Sequence, residues 1–329
     1  MEINKLKVLV SYHKPSTLIK NDIFTPIHVG RTLKDKESKD GKINLDDYNW
    51  LIDNMIGDNT GDNISSKNRE YCELTALYWA WKNYEQIGNP EYIGFMSYRR
   101  FLIFNEYQYD KYSQNDTEKA YREVFENEID DNILDIYGLN HQYIDEFINE
   151  YDVILPLKSE LKLVNTNNSR EDYIKNIPGV NVKDYDTMVD TIIRFYPEYK
   201  KYILQQKDSS RRYFYQTFVI RKDLFFDYCS FLFSVLNKLE NIIDVSSYST
   251  NGKRTLAYLG EALFDCYMRK VIDSRSIKYK ELGILRTINI KNNFKYEKFI
   301  FLGFENTFKY FIFHLFGLNI VIKKNKNVY

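Results

Sequence analysis

The chain has 329 residues and a formal net charge of +0, with 46 Lys and Arg balancing 46 Asp and Glu, so no global charge pulls it towards nucleic acid. Only 13 glycines and 6 prolines stand against 29 tyrosines and 22 phenylalanines, which excludes a disordered or low-complexity chain. The length suits one large α/β domain, or one domain with an appendage, and a sizeable core.

The first residues, MEINKLKVLVSYHK, contain too short an apolar run for a signal peptide and no cleavage site. No window approaches the ~20 apolar residues of a membrane-spanning helix, so a cytoplasmic protein is expected. Lys7–Ser11 reads as a buried parallel strand, with His13, Lys14 and Pro15 at its carboxyl end, where open α/β sheets bind ligands. The stretch from Thr25 to Gly57 is mostly polar and reads as a long loop, with Pro26–Gly30 as a short extended piece.

A turn-rich loop, Asp58–Lys67, leads into a predicted helix over Tyr71–Tyr84, with Leu74, Leu77, Tyr78 and Trp81 on its buried face and Ser65 or Ser66 in the cap region. Gly88–Pro90 turns the chain into a strand, Tyr92–Met96, that ends on Tyr98, Arg99 and Arg100. Adjacent guanidinium groups at a strand's carboxyl end suit a phosphate or carboxylate ligand; pairing with structural carboxylates is the plain alternative.

Asn105–Asn149 reads as acidic and helical, with segments TEKAYREVFEN and HQYIDEFINEY, and His141 as a surface or capping residue. A strand over Tyr151–Leu155 follows, then a polar stretch from Lys158 to Val180 that reads as a mobile loop over a site. Lys183–Tyr202 is predicted helical with a break near Pro197, and Tyr213–Ile220 as a strand. Two amphipathic helices follow, from Arg221 and over Arg254–Arg269; Glu261 and Asp265, four apart, share one stripe of the second.

Beyond Lys278 the chain is aromatic and lysine-edged and ends in IKKNKNVY, which fits either an amphipathic helix on an anionic membrane surface or a terminal helix docked on the core. Cys72, Cys229 and Cys266 are too far apart for a CxxC site and read as small core residues. GxGxxG, Walker A, GxSxG and HExxH motifs are absent, and the four histidines are too scattered for a local metal site. The DNTGD loop, Asp58–Asp62, is the one dense oxygen cluster that could hold a metal.

Several segments together, LVSYHKP with PIHVG, DNTGDNISSKNREYCELTALYWAWKN, YIGFMSYRRFL and YDVILP, resemble a family of bacterial glycosyltransferases from capsular and exopolysaccharide gene clusters, long catalogued as a domain of unknown function. The similarity runs over most of residues 5–270. It implies a GT-A-like α/β fold, a mixed and mostly parallel sheet flanked by helices, in a domain over residues 1–275. A helical C-terminal tail over 276–329 is expected.

The implied activity is transfer of a hexosyl unit, galactofuranosyl among the candidates, from a nucleoside diphosphate sugar, UDP-linked by preference, to a cell-surface polysaccharide or lipid-linked glycan. The resemblance places Tyr12, His13 and Lys14 near the nucleotide. Asp62, Asn63, Ser65, Lys67 and Asn68 would line the donor pocket, with Tyr71 and Glu73 behind them, and Tyr98, Arg99 and Arg100 would face the diphosphate. Glu261 and Asp62 are the candidate bases. GT-A enzymes that hold a divalent ion carry Asp-x-Asp after an apolar strand; here Ser97–Arg100 stands there, so no metal is expected to be required and cations would neutralise the leaving group.

The chain departs from the family pattern at Ser97, where the pattern favours His, and at His28, where it favours Gln. It departs again at YFYQTFVI, where the pattern favours YNMFIM, and in lacking a histidine-bearing segment before PEY; these positions bear on sugar and acceptor choice. Two further readings stand beside transfer. One is a non-catalytic glycan- or partner-binding protein on the same fold; the other is a nucleotide-sugar hydrolase or phosphoryl-transfer enzyme.

Overall fold

The structure, a computed structural model, describes residues 5–34, 41–108, 120–274 and 276–287, together with three strands further on. The chain divides into two compact units, Met1–Thr287 and Ile288–Tyr329.

In the first unit the strands are β1 (Leu6–Tyr12), β2 (Phe24–His28), β3 (Ile56–Gly57), β4 (Tyr92–Ser97), β5 (Arg100–Leu102), β6 (Glu123–Glu126), β7 (Val153–Pro156), β8 (Ser159–Glu160), β9 (Arg211–Arg212), β10 (Phe218–Arg221), β11 (Tyr279–Leu282) and β12 (Ile284–Thr287). The main sheet has the order β11-β7-β10-β4-β1-β2-β3. Its pairings are parallel except at β10, which runs antiparallel to both β4 and β7. β12 pairs with β5 antiparallel and with β6 in parallel, extending the same sheet. The expected mixed, mostly parallel α/β sheet is what the chain forms.

The apolar runs build two cores because neighbouring side chains on a strand point to opposite faces. Leu9, Ile93, Phe95, Phe218 and Ile220 pack on one side, and Val8, Val10, Met96 and Val219 on the other. At the centre of β4, Gly94 leaves room for its neighbours: a Cβ there would lie 2.7 Å from Val8 Cγ2.

The helices among the described residues are α1 (Leu45–Asn54), α2 (Asn68–Tyr71), α3 (Leu74–Lys82), α4 (Asp131–Ile136), α5 (His141–Glu150), α6 (Ser169–Asn176), α7 (Val182–Phe195), α8 (Lys200–Asp208), α9 (Lys222–Glu240) and α10 (Thr255–Ser274). Asn44 caps α1 by accepting from the Asp47 amide, so the expected long loop holds a helix. The single helix expected over Tyr71–Tyr84 is two, split at Cys72, whose φ of 48 and ψ of −129 no helix tolerates. In α3, Trp79 is buried with Leu74 and Leu77, while Tyr78 and Trp81 are half-buried and pack on Phe233 of α9.

The strand expected over Tyr213–Ile220 shortens to β10, because Tyr215 has a left-handed φ of 66 that breaks extension. Glu123–Glu126, read as helical, is strand β6, held by its ladder to β12. The stretch expected as a mobile loop after Lys158 contains β8 and α6, the latter capped by Asn168. The expected break near Pro197 is a short 3-10 turn between α7 and α8.

The second unit contains three antiparallel strands, β13 (Leu302–Asn306), β14 (Tyr310–Leu315) and β15 (Leu318–Lys323), in place of the expected helical tail. YFIFHL and LNIVIK are rich in aromatic and β-branched residues, which suit a pleated surface better than a helix. The boundary also moves from residue 275 to Thr287, since β11 and β12 complete the main sheet.

Candidate active site

The carboxyl ends of β1, β2 and β4 lie side by side, with Tyr12 opposite His28 and Ser11 opposite Ser97 in register. Above this edge lies a cleft of about 580 Å³. β1 contributes His13, β2 leads to His28 and Gly30, β4 to Tyr98, Arg99 and Arg100, the α2–α3 junction to Cys72 and Glu73, and α10 to Glu261.

At one end, Asp58 fixes the floor. Its buried carboxylate accepts from the Gly30 amide at 2.7 Å, the Arg31 amide at 3.1 Å, and the Ser65 and Thr75 hydroxyls at 2.6 Å each. Both oxygens are therefore taken by donors, and the DNTGD loop does not offer Asp58 to a cation. Among the described residues no group of three or more His, Cys, Asp or Glu is placed to hold a metal. Gly30 has a φ of 66, and a Cβ there would meet the Asn68 side chain at 2.6 Å, so only glycine lets this loop pass the cleft wall.

His28 is buried, and burial, with the positive charges of Arg31 and His13, pushes its pKa down to about 3. It is thus neutral at neutral pH. Arg31 Nε donates to its Nδ1 at 3.3 Å, which leaves the ring proton on Nε2 as a donor.

The middle of the cleft is cationic. Glu123, fully buried, accepts from Arg100 at 3.4 Å, Arg286 at 3.0 Å and the Tyr215 hydroxyl at 2.8 Å. Arg100 also lies over the Tyr215 ring at 3.9 Å. Arg99, half-buried, has no carboxylate partner among the described residues, and burial lowers its pKa while Arg100 and Arg286 press in the same direction. A guanidinium held beside two others is poised for a polyanion. Tyr98 stacks on Tyr12, centroids 5.5 Å apart, and meets the His13 ring edge-on.

Glu261 faces the cleft from α10, in line with Arg254 and Tyr258 at helical spacing. Burial pushes its carboxyl up to about 7; Arg212 opposes this and Glu73 adds to it. A carboxyl that ionises near neutrality is suited to proton transfer. Asp265, its expected stripe partner, is fully buried and bound by Arg269 at 3.0 Å, a structural ion pair.

Of the residues expected at the site, His13, Asn68, Glu73, Tyr98, Arg99, Arg100 and Glu261 line the cleft. The others do not. Asp62 is exposed on its loop and accepts from the Tyr78 hydroxyl at 3.1 Å. Asn63 accepts from the Ser65 amide, and Ser65, instead of capping a long helix, binds Asp58. Lys67 and Tyr71 both bind Glu240, at 2.7 and 3.2 Å. Tyr12 is buried, donating to the Thr17 carbonyl, and Lys14 is exposed outside the cleft.

Sequence reasoning passed over Tyr215, Gln216 and Arg254, whose positions depend on a chain reversal and a helix start with no local motif. Cys72 is expected from the sequence to be a small core residue. Cys72 instead lines the cleft, its sulfur accepting from Arg254 Nε at 3.0 Å.

This sheet, with one reversed strand and a cleft at the carboxyl ends of its parallel strands, defines a GT-A-like α/β protein. The chain belongs to the family described as "Domain of unknown function (DUF4422)", whose profile matches residues 7–272. No curated protein is matched. Among solved structures, the apo structure of the WbbM bifunctional glycosyltransferase is similar, with 34% identity and a TM-score of 0.74 over 87% of this chain. The alignment covers 46% of that protein, so this chain spans about half its length.

Among the described residues, no helix is long and apolar enough to cross a membrane.

Proposed function

We propose that the protein is a glycosyltransferase that takes a sugar from a nucleoside diphosphate donor. The observation that carries this reading is Glu261, with a carboxyl pushed up to about 7 by burial, facing the same cleft as Arg99, which has no carboxylate partner among the described residues. The similarity to the WbbM glycosyltransferase supports it.

In the proposed reaction the acceptor hydroxyl gives its proton to Glu261 as its oxygen bonds to the anomeric carbon. The bond from that carbon to the diphosphate oxygen breaks, and the electron pair leaves with the diphosphate. Arg99, with His13 nearby, stabilises the charge that develops there. Neutral His28 and the Gly30 loop form the end that would receive the nucleoside. Glu261 is preferred over Asp62 as the base because it alone of the two lines the cleft. Arg99 supplies positive charge at the leaving group, so no divalent metal is proposed to be required.

The donor is proposed to be UDP-linked and to carry a hexosyl unit, galactofuranosyl among the candidates. The acceptor is proposed to be a growing cell-surface or lipid-linked glycan. The aromatic, lysine-edged unit after Ile288 is proposed to rest on the anionic inner face of the cytoplasmic membrane. Flotation of the full chain with anionic vesicles, lost on deletion of residues 291–329, is the expected result; equal flotation of both refutes that contact.

The function is tested by incubating the purified chain, with and without EDTA, with UDP-, GDP-, CDP- and TDP-sugars and following nucleotide release and sugar transfer to glycan acceptors. Turnover of one nucleotide class, reduced about 10²–10⁴-fold in Glu261→Gln, is expected. Binding without turnover would turn the reading to a glycan-binding protein, and release of free sugar with every acceptor would turn it to a hydrolase.

A further inference from the structure

Arg212 is 2% exposed, yet it carries a full charge into the core behind the cleft. β9 is pinned by pairing with β8, Ser159 opposite Arg212, so the guanidinium has little freedom. One of its terminal nitrogens lies 3.1 Å from Asp172, itself 2% exposed on α6. The same nitrogen lies 3.8 Å from Glu261, and the guanidinium plane rests 3.8 Å over the Phe214 ring. Its Nε is buried with no hydrogen-bond partner.

A purely structural ion pair would satisfy its donors within the pair. Here one donor is left unused, and another is shared with a carboxylate that opens into the cleft. Glu261 thus touches an ion pair from the side. We propose that Arg212, anchored by Asp172, is a positioning residue that holds Glu261 towards the cleft and sets the charge it carries there. The inference rests on the reading of Glu261 as the base.

Charged and titratable groups face Glu261 from several elements: Arg212 from β9, Asp172 from α6, Arg100 from β5, Glu73 before α3, Tyr228 from α9, and Tyr258 one turn back on α10. Of the two cations, Arg212 exerts the larger pull on Glu261. Asp172 works against it twice, by repelling Glu261 directly and by engaging the same guanidinium.

The two residues must therefore act in opposite directions. Removing the cation favours protonated Glu261. Removing the Asp172 charge leaves Arg212 to Glu261 alone and favours the carboxylate. Loss of packing would not produce opposite signs.

The titration that decides the inference needs no substrate. Glu261 is titrated by carbon-13 NMR in the full chain labelled at glutamate side-chain carboxyls, its signal assigned by Glu261→Gln. In Arg212→Gln the midpoint is expected to rise by about 1 pH unit or more, the size of an opposite-charge contact. In Asp172→Asn it is expected to fall. Arg212→Lys keeps the charge without the rigid fork, so its midpoint should stay near the parent while kcat drops.

The double variant Arg212→Gln/Asp172→Asn, free of an uncompensated buried charge, should fold and titrate between the two single variants. Midpoints that do not move, or that move the same way in both single variants, overturn the inference. Opposite shifts together with full transfer by Glu261→Gln would leave this coupling standing and refute the base assignment instead.

Discussion

Asp58→Ala should be among the most damaging single changes to this protein, although Asp58 touches no ligand in the proposed reaction. Its carboxylate collects four donors from three places in the chain: two amides after β2, the Ser65 hydroxyl and the Thr75 hydroxyl inside α3. Alanine leaves the two amides and the Ser65 hydroxyl without that acceptor, in a site where Asp58 is fully buried, whereas the Thr75 hydroxyl can still donate to the Cys72 carbonyl at 3.0 Å. Each orphaned buried donor costs about 1–3 kcal/mol, and partial relaxation with water entry brings the total to about 4 kcal/mol. With a urea slope of about 3 kcal/mol per molar, the unfolding midpoint should fall by about 1.3 M, followed by tryptophan fluorescence. Asp62→Ala, on the exposed neighbouring turn, should move it by no more than about 0.2 M, within the scatter of surface substitutions. A loss below about 1 kcal/mol for Asp58→Ala would refute the claim that this carboxylate ties the cleft floor together.

Glu261 should cost stability above neutrality. Its folded pKa, about 7, lies above its ordinary 4.5, so the folded state holds the proton more tightly and stability falls as pH rises through that window. The full effect is up to about 3 kcal/mol, so Glu261→Gln should raise the melting temperature at about pH 8 and little at about pH 5; equal gains at both would contradict the burial argument. Gly94→Ala should destabilise by about 1–3 kcal/mol, because its methyl would press on Val8 and Val219, and an unchanged denaturation midpoint would show that β1 can yield. Arg99→Ala should abolish the thermal shift given by the cognate nucleoside diphosphate, whereas Arg99→Lys should retain part of it; a full shift in Arg99→Ala would place the diphosphate elsewhere.

The parallel strands were legible in the sequence because continuous apolar runs ending in polar clusters leave few alternatives. KVLVS and YIGFM became the central pair, β1 and β4, and the arginines after the second line the cleft at the carboxyl ends of these strands. What failed to show was anything set by backbone conformation or long-range pairing. Nothing local announces that Cys72 and Tyr215 adopt positive φ, yet these two residues divide a helix and shorten a strand, and both line the cleft. Asp58 and Asp62 look alike in DNTGD; only the fold makes one a buried hub and the other an exposed turn residue. Helical spacing marks Glu261 only as a stripe partner of Asp265, and the base assignment comes from the family resemblance, since its raised pKa depends on burial and on Arg212, Glu73 and Arg100, all distant in the chain. In the C-terminal unit the aromatic, lysine-edged composition points to an amphipathic helix, whereas its aromatic and β-branched residues form strands.

The reversed strand β10 also has a consequence for how the protein could be re-engineered. Because it runs against its neighbours, the chain enters it from the cleft edge, and residues 213–217 form a bridge with both abutments fixed. Arg212 is clamped by Asp172 at one end, and Phe218 is locked opposite Phe95 at the other. A single inserted residue has nowhere to go: sliding β10 by one position would exchange Val219 with Phe218 and Ile220 between the two cores. Tyr215, Gln216 and Thr217 therefore make an inextensible wall, one on which side chains can be exchanged but lengths cannot. Libraries aimed at reshaping the cleft would do well to vary identity here and reserve insertions for other segments of the rim.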